Sequence, residues 1–95
     1  MSEAATGSNP GLELTLLHRA YCHLCDEMLE ALRPLAAATG AAVRVVDVDA
    51  DGDLEAVWGE LVPVLFLGPP APGNELCHYR LDVARVRAAL RTGSA

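Results

Sequence analysis

Two cysteines three residues apart, Cys22 and Cys25 in the run Tyr21-Cys22-His23-Leu24-Cys25, constrain this chain more than any other feature, because the unit sits between an apolar alternating run and an amphipathic one. If Cys22 opens a helix, Cys25 is its i+3 neighbour on the same face, with Cα atoms roughly 5 to 6 Å apart, the separation a disulfide needs. The pair can then open and close with little movement of the backbone. The helix N-terminus, with its unsatisfied N–H groups, favours a thiolate on Cys22, whereas Cys25 lies one turn in and is expected to be more buried. Cys22 is therefore the candidate nucleophile and Cys25 the candidate resolving thiol. His18, Arg19 and His23 favour the charged form of Cys22, and Asp26 and Glu27 in the first turn oppose it.

With 95 residues the chain forms one small domain with a single core. Seven arginines, no lysine and 13 acidic residues give a net charge of -6, which argues against nucleic acid or an anionic membrane as the main partner. No run approaches the ~18 apolar residues of a transmembrane span. The first eleven residues show neither the basic nor the apolar part of a secretory signal, so a cytoplasmic setting is expected. In a reducing compartment three cysteines are no disulfide scaffold, and a C-x-x-C points to redox catalysis or metal binding.

Residues 1–11, rich in Ser, Thr, Gly and Pro, are expected to be a disordered tail. From Leu12 the pattern alternates, with Leu12, Leu14 and Leu16 on one face and Glu13 and Thr15 on the other, which predicts a first strand. Leu24, Met28, Ala31, Leu32 and Leu35 follow at helical spacing from residue 22, with Pro34 expected to kink or shorten the helix before Gly40 ends it. Val43, Val45, Val46 and Val48 predict a second strand, and a connection this long implies parallel pairing through a right-handed crossover. Val62 to Leu67 is a third strand opening on proline, residues 68–74 a loop, and Glu75 to Tyr79 a fourth strand returning antiparallel. Asp82 is placed to cap a last helix with Val83, Val86 and Leu90 inward and Arg85, Arg87 and Arg91 in water. The domain is taken as 12–92, with 93–95 a frayed end.

Asp47, Asp49, Asp51 and Asp53 suggest a calcium loop, but the spacing fails. Counted from Asp47, the required bidentate glutamate is Trp58; counted from Asp49, the required glycine is Leu54. The run reads instead as a strand end, a turn at Asp51-Gly52 and the cap of a short helix over residues 53–59, with Trp58 packing that helix on the sheet.

In order and chemistry together the chain resembles the thioredoxin fold in its minimal glutaredoxin form, over roughly residues 12–91. Cys22-His23-Leu24-Cys25-Asp26-Glu27 with Leu61-Val62-Pro63-Val64-Leu65 is similar to small glutaredoxin-like proteins whose active site reads C-H-L-C. The resemblance implies an α/β fold with a mixed four-stranded sheet in the order 2-1-3-4, three flanking helices and an antiparallel final hairpin. It implies a thiol-disulfide oxidoreductase in which Cys22 attacks and Cys25 resolves the mixed disulfide, with no bound cofactor. Pro63 matches the family's cis proline, which leaves the backbone of Val62 to bond an extended thiol or disulfide substrate, and His23 and Leu24 inside the motif complete the substrate-binding set. Ordinary glutaredoxins carry a Gly-Gly before the last helix; here the segment is Tyr79-Arg80-Leu81-Asp82, so glutathione follows from the resemblance only as a candidate reductant. A monomer is expected.

Two other readings use the same residues. Cys22, His23, Cys25, Cys77 and His78 are soft ligands for zinc or an iron-sulfur cluster, although adjacent Cys77 and His78 on a strand point to opposite faces. A redox-inert binding module keeping the fold and the cysteines is the other, since fold does not fix function. Cys77 itself reads as a small apolar filler of a strand.

Overall fold

The computed structural model describes residues 12–93; the tail expected over residues 1–11 lies outside them. Eight elements follow in order: β1 (Glu13–His18), α1 (His23–Thr39), β2 (Ala42–Asp47), a short 3-10 turn (Val48–Ala50), α2 (Gly52–Trp58), β3 (Val64–Leu67), β4 (Glu75–His78) and α3 (Val83–Gly93). The strands form one sheet in the order β2-β1-β3-β4. β1 and β2 run parallel from Glu13↔Ala42 to His18↔Asp47, while β3 is antiparallel to both β1 and β4. The mixed sheet and its order are those implied by the resemblance.

Alternation along β1 divides the core between the two faces of the sheet. Leu12, Leu14 and Leu16 pack with Met28, Leu32 and Ala36 of α1 and with Val86 and Leu90 of α3. Leu17 turns to the other face and joins Val48, Trp58, Val64 and Phe66 under α2. Trp58 meets Phe66 edge-on, ring centroids 5.0 Å apart, and so holds α2 to the sheet as the sequence suggests. β1 is thus buried on both faces, which explains four consecutive buried side chains from Leu14 to Leu17.

Four local expectations change. α1 ends at Gly40 as expected, where Gly40 takes the left-handed φ of 77° and donates to Ala36 C=O, but Pro34 does not shorten it, and the helix runs through it to Thr39. Proline removes one helical hydrogen bond, but Leu32, Leu35 and Ala36 flank it and pack into the core, so tertiary contact carries the helix past it. Val48 leaves the second strand for the 3-10 turn yet stays fully buried. Val83, expected inward, is exposed, and Val86 and Leu90 are the buried anchors of α3 among the described side chains. α3 also includes Gly93, the first residue of the expected frayed end; residues 94–95 lie outside the described ones.

Candidate active site

Cys22 is the N-cap of α1, in extended conformation, and Cys25 lies in the first turn. Their Cα atoms are 5.2 Å apart and the two sulfurs are joined as a disulfide. The backbone N–H of Cys25 donates to Cys22 Sγ at 3.1 Å, so the cysteine sulfur performs the capping that Ser or Asp oxygen performs elsewhere. Cys22 is half-buried and Cys25 fully buried. The two sulfurs therefore differ in access and in the N–H groups facing them, as the spacing predicts.

The loop from Arg19 to Cys22 is pinned at both ends. His18, the last residue of β1, lies 3.0 Å through Nε2 from Asp26 Oδ1 in the first turn of α1. Arg19 grips Asp49 with two bonds of 2.9 and 2.8 Å, reaches Glu55 Oε2 at 3.5 Å and donates to Gly59 C=O at 3.2 Å. One guanidinium thus ties the cysteine loop to the turn after β2 and to α2, which suits its planar fork. The hydrogen bonds from Arg19 hold the Asp49 carboxyl below its ordinary range. Between these anchors Tyr21 is fully exposed at φ 61°.

The register brings the proline segment to the same place. β1 and β3 are antiparallel with Leu17 opposite Val64, and continuing that register puts Pro63 level with His18 at the sheet end where the cysteine loop begins. The Val62–Pro63 peptide bond is cis. Pro63 is buried, and half-buried Val62 packs against the Trp58 cluster. Tyr79 crosses over this segment, its N–H donating to Pro63 C=O and its hydroxyl to Glu60 C=O, each at 2.9 Å. Tyr79 is the second of the two non-glycine residues with positive φ among the described residues, at 66°.

Leu24, expected in the apolar stripe of α1, faces outward and is 38% exposed; together with Tyr79 it borders a cavity of about 280 Å³ between α1 and the segment before α3. His23 is exposed, with no side-chain partner among the described residues. Cys77 is half-buried against the α1 side of the core, and burial pushes its thiol up, in keeping with a filler of β4. His78 turns to Glu75, 2.7 Å away, and no group of three His, Cys, Asp or Glu side chains suited to a metal forms among the described residues. Among the described residues no helix is long and apolar enough to cross a membrane.

The sequence places His18 and Arg19 at the site only as charges near Cys22, not as the bonds to Asp26 and Asp49 that hold its loop, and it gives no sign that Tyr79 reaches Pro63 and Glu60. Arg19 meets Asp49 thirty residues on and Tyr79 meets Glu60 nineteen back, and such partners leave no local pattern. The positive φ of Tyr21 and Tyr79 was equally invisible, since tyrosine gives no signal for that conformation.

Solved structures share this fold. Protein Ne2328 of Nitrosomonas europaea, solved by NMR, superposes with a TM-score of 0.70 at 35% identity, over 81% of this chain and 88% of its own. Protein XcR50 of X. campestris, solved by X-ray diffraction, gives 0.60 at 41% identity, over 83% of this chain and 96% of its own. Trichomonas vaginalis thioredoxin gives 0.60 at 22% identity over 84% of this chain and 77% of its own, a likeness of fold alone. Among curated proteins there is no match. The model of the Glutaredoxin-like domain (DUF836) covers residues 13–91, every strand and almost all of the last helix, and the chain belongs to that family.

Proposed function

We propose that the protein is a thiol-disulfide oxidoreductase. The observation that carries this reading is the Cys22–Cys25 pair at the start of α1, 5.2 Å apart at Cα, with the outer sulfur facing a backbone N–H and the inner one buried. An N–H aimed at Cys22 Sγ stabilises negative charge there when the disulfide is open, which is the form that attacks.

In the reduced protein the Cys22 thiolate attacks one sulfur of a substrate disulfide. A Cys22–substrate bond forms, the substrate S–S bond breaks, and the released thiolate takes a proton from water. Cys25 then gives its proton to water, and its thiolate attacks Cys22 Sγ. The intramolecular disulfide closes and the second substrate thiolate leaves, to be protonated in turn. Two electrons pass from the dithiol to the substrate, and two equivalents of an external thiol, glutathione being the candidate, restore the protein. Val62 and Pro63 support the substrate chain beside Cys22, while His23 and Leu24 form the outer surface of the motif. The protein acts in this reading as a cytoplasmic monomer on thiol or disulfide partners.

Equilibration across glutathione redox buffers, alkylation quenching and mass spectrometry test it. The expected result is a reversible Cys22–Cys25 disulfide with a midpoint between roughly -300 and -150 mV. Thiols that stay free at every poise would refute the reading.

A further inference from the structure

Non-glycine residues with positive φ are costly and gather where function holds them. Here both are tyrosines at the site, one before Cys22 and one bonded to the Pro63 carbonyl. Six large hydrophobic side chains are exposed among the described residues, and three of them, Tyr21, Leu24 and Tyr79, lie in or beside the cysteine motif and its cavity. Concentrated apolar exposure of this kind marks a contact surface rather than ordinary surface scatter.

We propose that Tyr79 is a specificity-determining residue, its ring forming with Leu24 the wall of a pocket that takes an apolar side chain next to the attacked cysteine of a polypeptide disulfide. The inference rests on the oxidoreductase reading and names its substrate class. The pocket of about 280 Å³ opens beside Leu24 of the motif, and Met28, Ala31 and Leu81 supply its apolar lining. The backbone bond from Tyr79 N–H to the Pro63 carbonyl sets this residue against the segment that supports the substrate. Glu27 and Arg80 also line the cavity, and neither side chain has a partner among the described residues, which leaves a carboxylate and a guanidinium to bond the amide groups of a passing chain. A polypeptide covers Tyr21, Leu24 and Tyr79 at once; a small thiol covers the pocket alone.

The experiment measures single-turnover exchange between the reduced protein and two disulfide-bonded peptides that differ only in Leu or Gly beside the cysteine, with cystine as a third substrate. The wild type is expected to favour the Leu peptide by about tenfold, the scale of discrimination one apolar pocket provides. Tyr79→Gly, which tolerates the same φ and so keeps the fold by circular dichroism, is expected to lower that preference to about twofold. Tyr79→Phe, which keeps the ring, and Val57→Ala, away from the site, are expected to retain it. An unchanged ratio in Tyr79→Gly, its loss in Tyr79→Phe, or a wild type that favours cystine over both peptides would overturn the proposal. A reduced wild type that exchanges with none of the three would refute the oxidoreductase reading itself.

Discussion

The N–H of Cys25 points at Cys22 Sγ across 3.1 Å, so the sulfur that caps α1 is also the more accessible of the two. Cys25 is buried beneath it, and burial raises the thiol of Cys77. In the reduced protein a short pulse of iodoacetamide should therefore modify Cys22 at least about tenfold faster than either other cysteine, because reaction requires an accessible thiolate. Peptide mapping against time reads the order. Cys25→Ser should in turn trap a stable mixed disulfide on Cys22, seen as an added mass, whereas Cys22→Ser should form none.

Thr15, 1% exposed within β1, donates its hydroxyl to Gly68 C=O at 2.7 Å, and Gly68 N–H donates to Glu13 C=O at 2.7 Å. The pair of bonds fastens the turn after β3 to the central strand. Thr15→Val keeps the shape but leaves a carbonyl without its donor, at an expected loss of about 1–2 kcal/mol. The urea midpoint should fall with an unchanged slope.

Removing the Arg19 clamp should act most at neutral pH. Asp49 in the folded protein titrates below its ordinary value of 3.8 through the hydrogen bonds from Arg19. A carboxylate lowered in this way adds stability above its unfolded pKa, and that contribution is lost as pH falls through the lower folded value. Wild type and Arg19→Ala should thus differ in urea stability at pH 7 and converge in acid, and added salt should shrink the neutral difference because the pair is exposed.

Trp58 is the single tryptophan and meets Phe66 edge-on, both in the core under α2. Phe66→Ala should cost about 3–5 kcal/mol by opening a cavity in that core. Trp58 emission should shift to the red as water reaches the indole, which distinguishes loss of this face from loss of the α1 side.

What could be read from the sequence was whatever repeats along the chain. The alternation at Leu12, Leu14 and Leu16 and the helical spacing of Met28 and Leu32 are local and appear where expected, and the short helix expected over residues 53–59 begins one residue earlier, capped by Asp51. Cys22 and Cys25 were legible for the same reason, since their relation is fixed by one helical turn. Pro34 misled because local cost was outweighed by packing on both sides of it, and Val83 and Leu24 because an apolar residue carries no label saying whether it faces core or pocket. The rest of the site depends on meetings between distant segments, Arg19 with Asp49 and Tyr79 with Glu60, that the fold alone creates.

The run of aspartates after β2 separates charge from architecture. Asp47 Oδ1 accepts from Asp49 N–H, and Asp51 Oδ1 from Asp53 and Leu54 N–H, so these two carboxylates serve as neutral acceptors would. Asparagine caps equally well. Asp47→Asn and Asp51→Asn together would move the net charge from -6 to -4 with the backbone still tied, whereas the same exchange at Asp49 would take the anion away from Arg19. The charge at Asp47 and Asp51 is thus adjustable surface chemistry laid over a fixed frame, free to be tuned to the charge of whatever approaches this face.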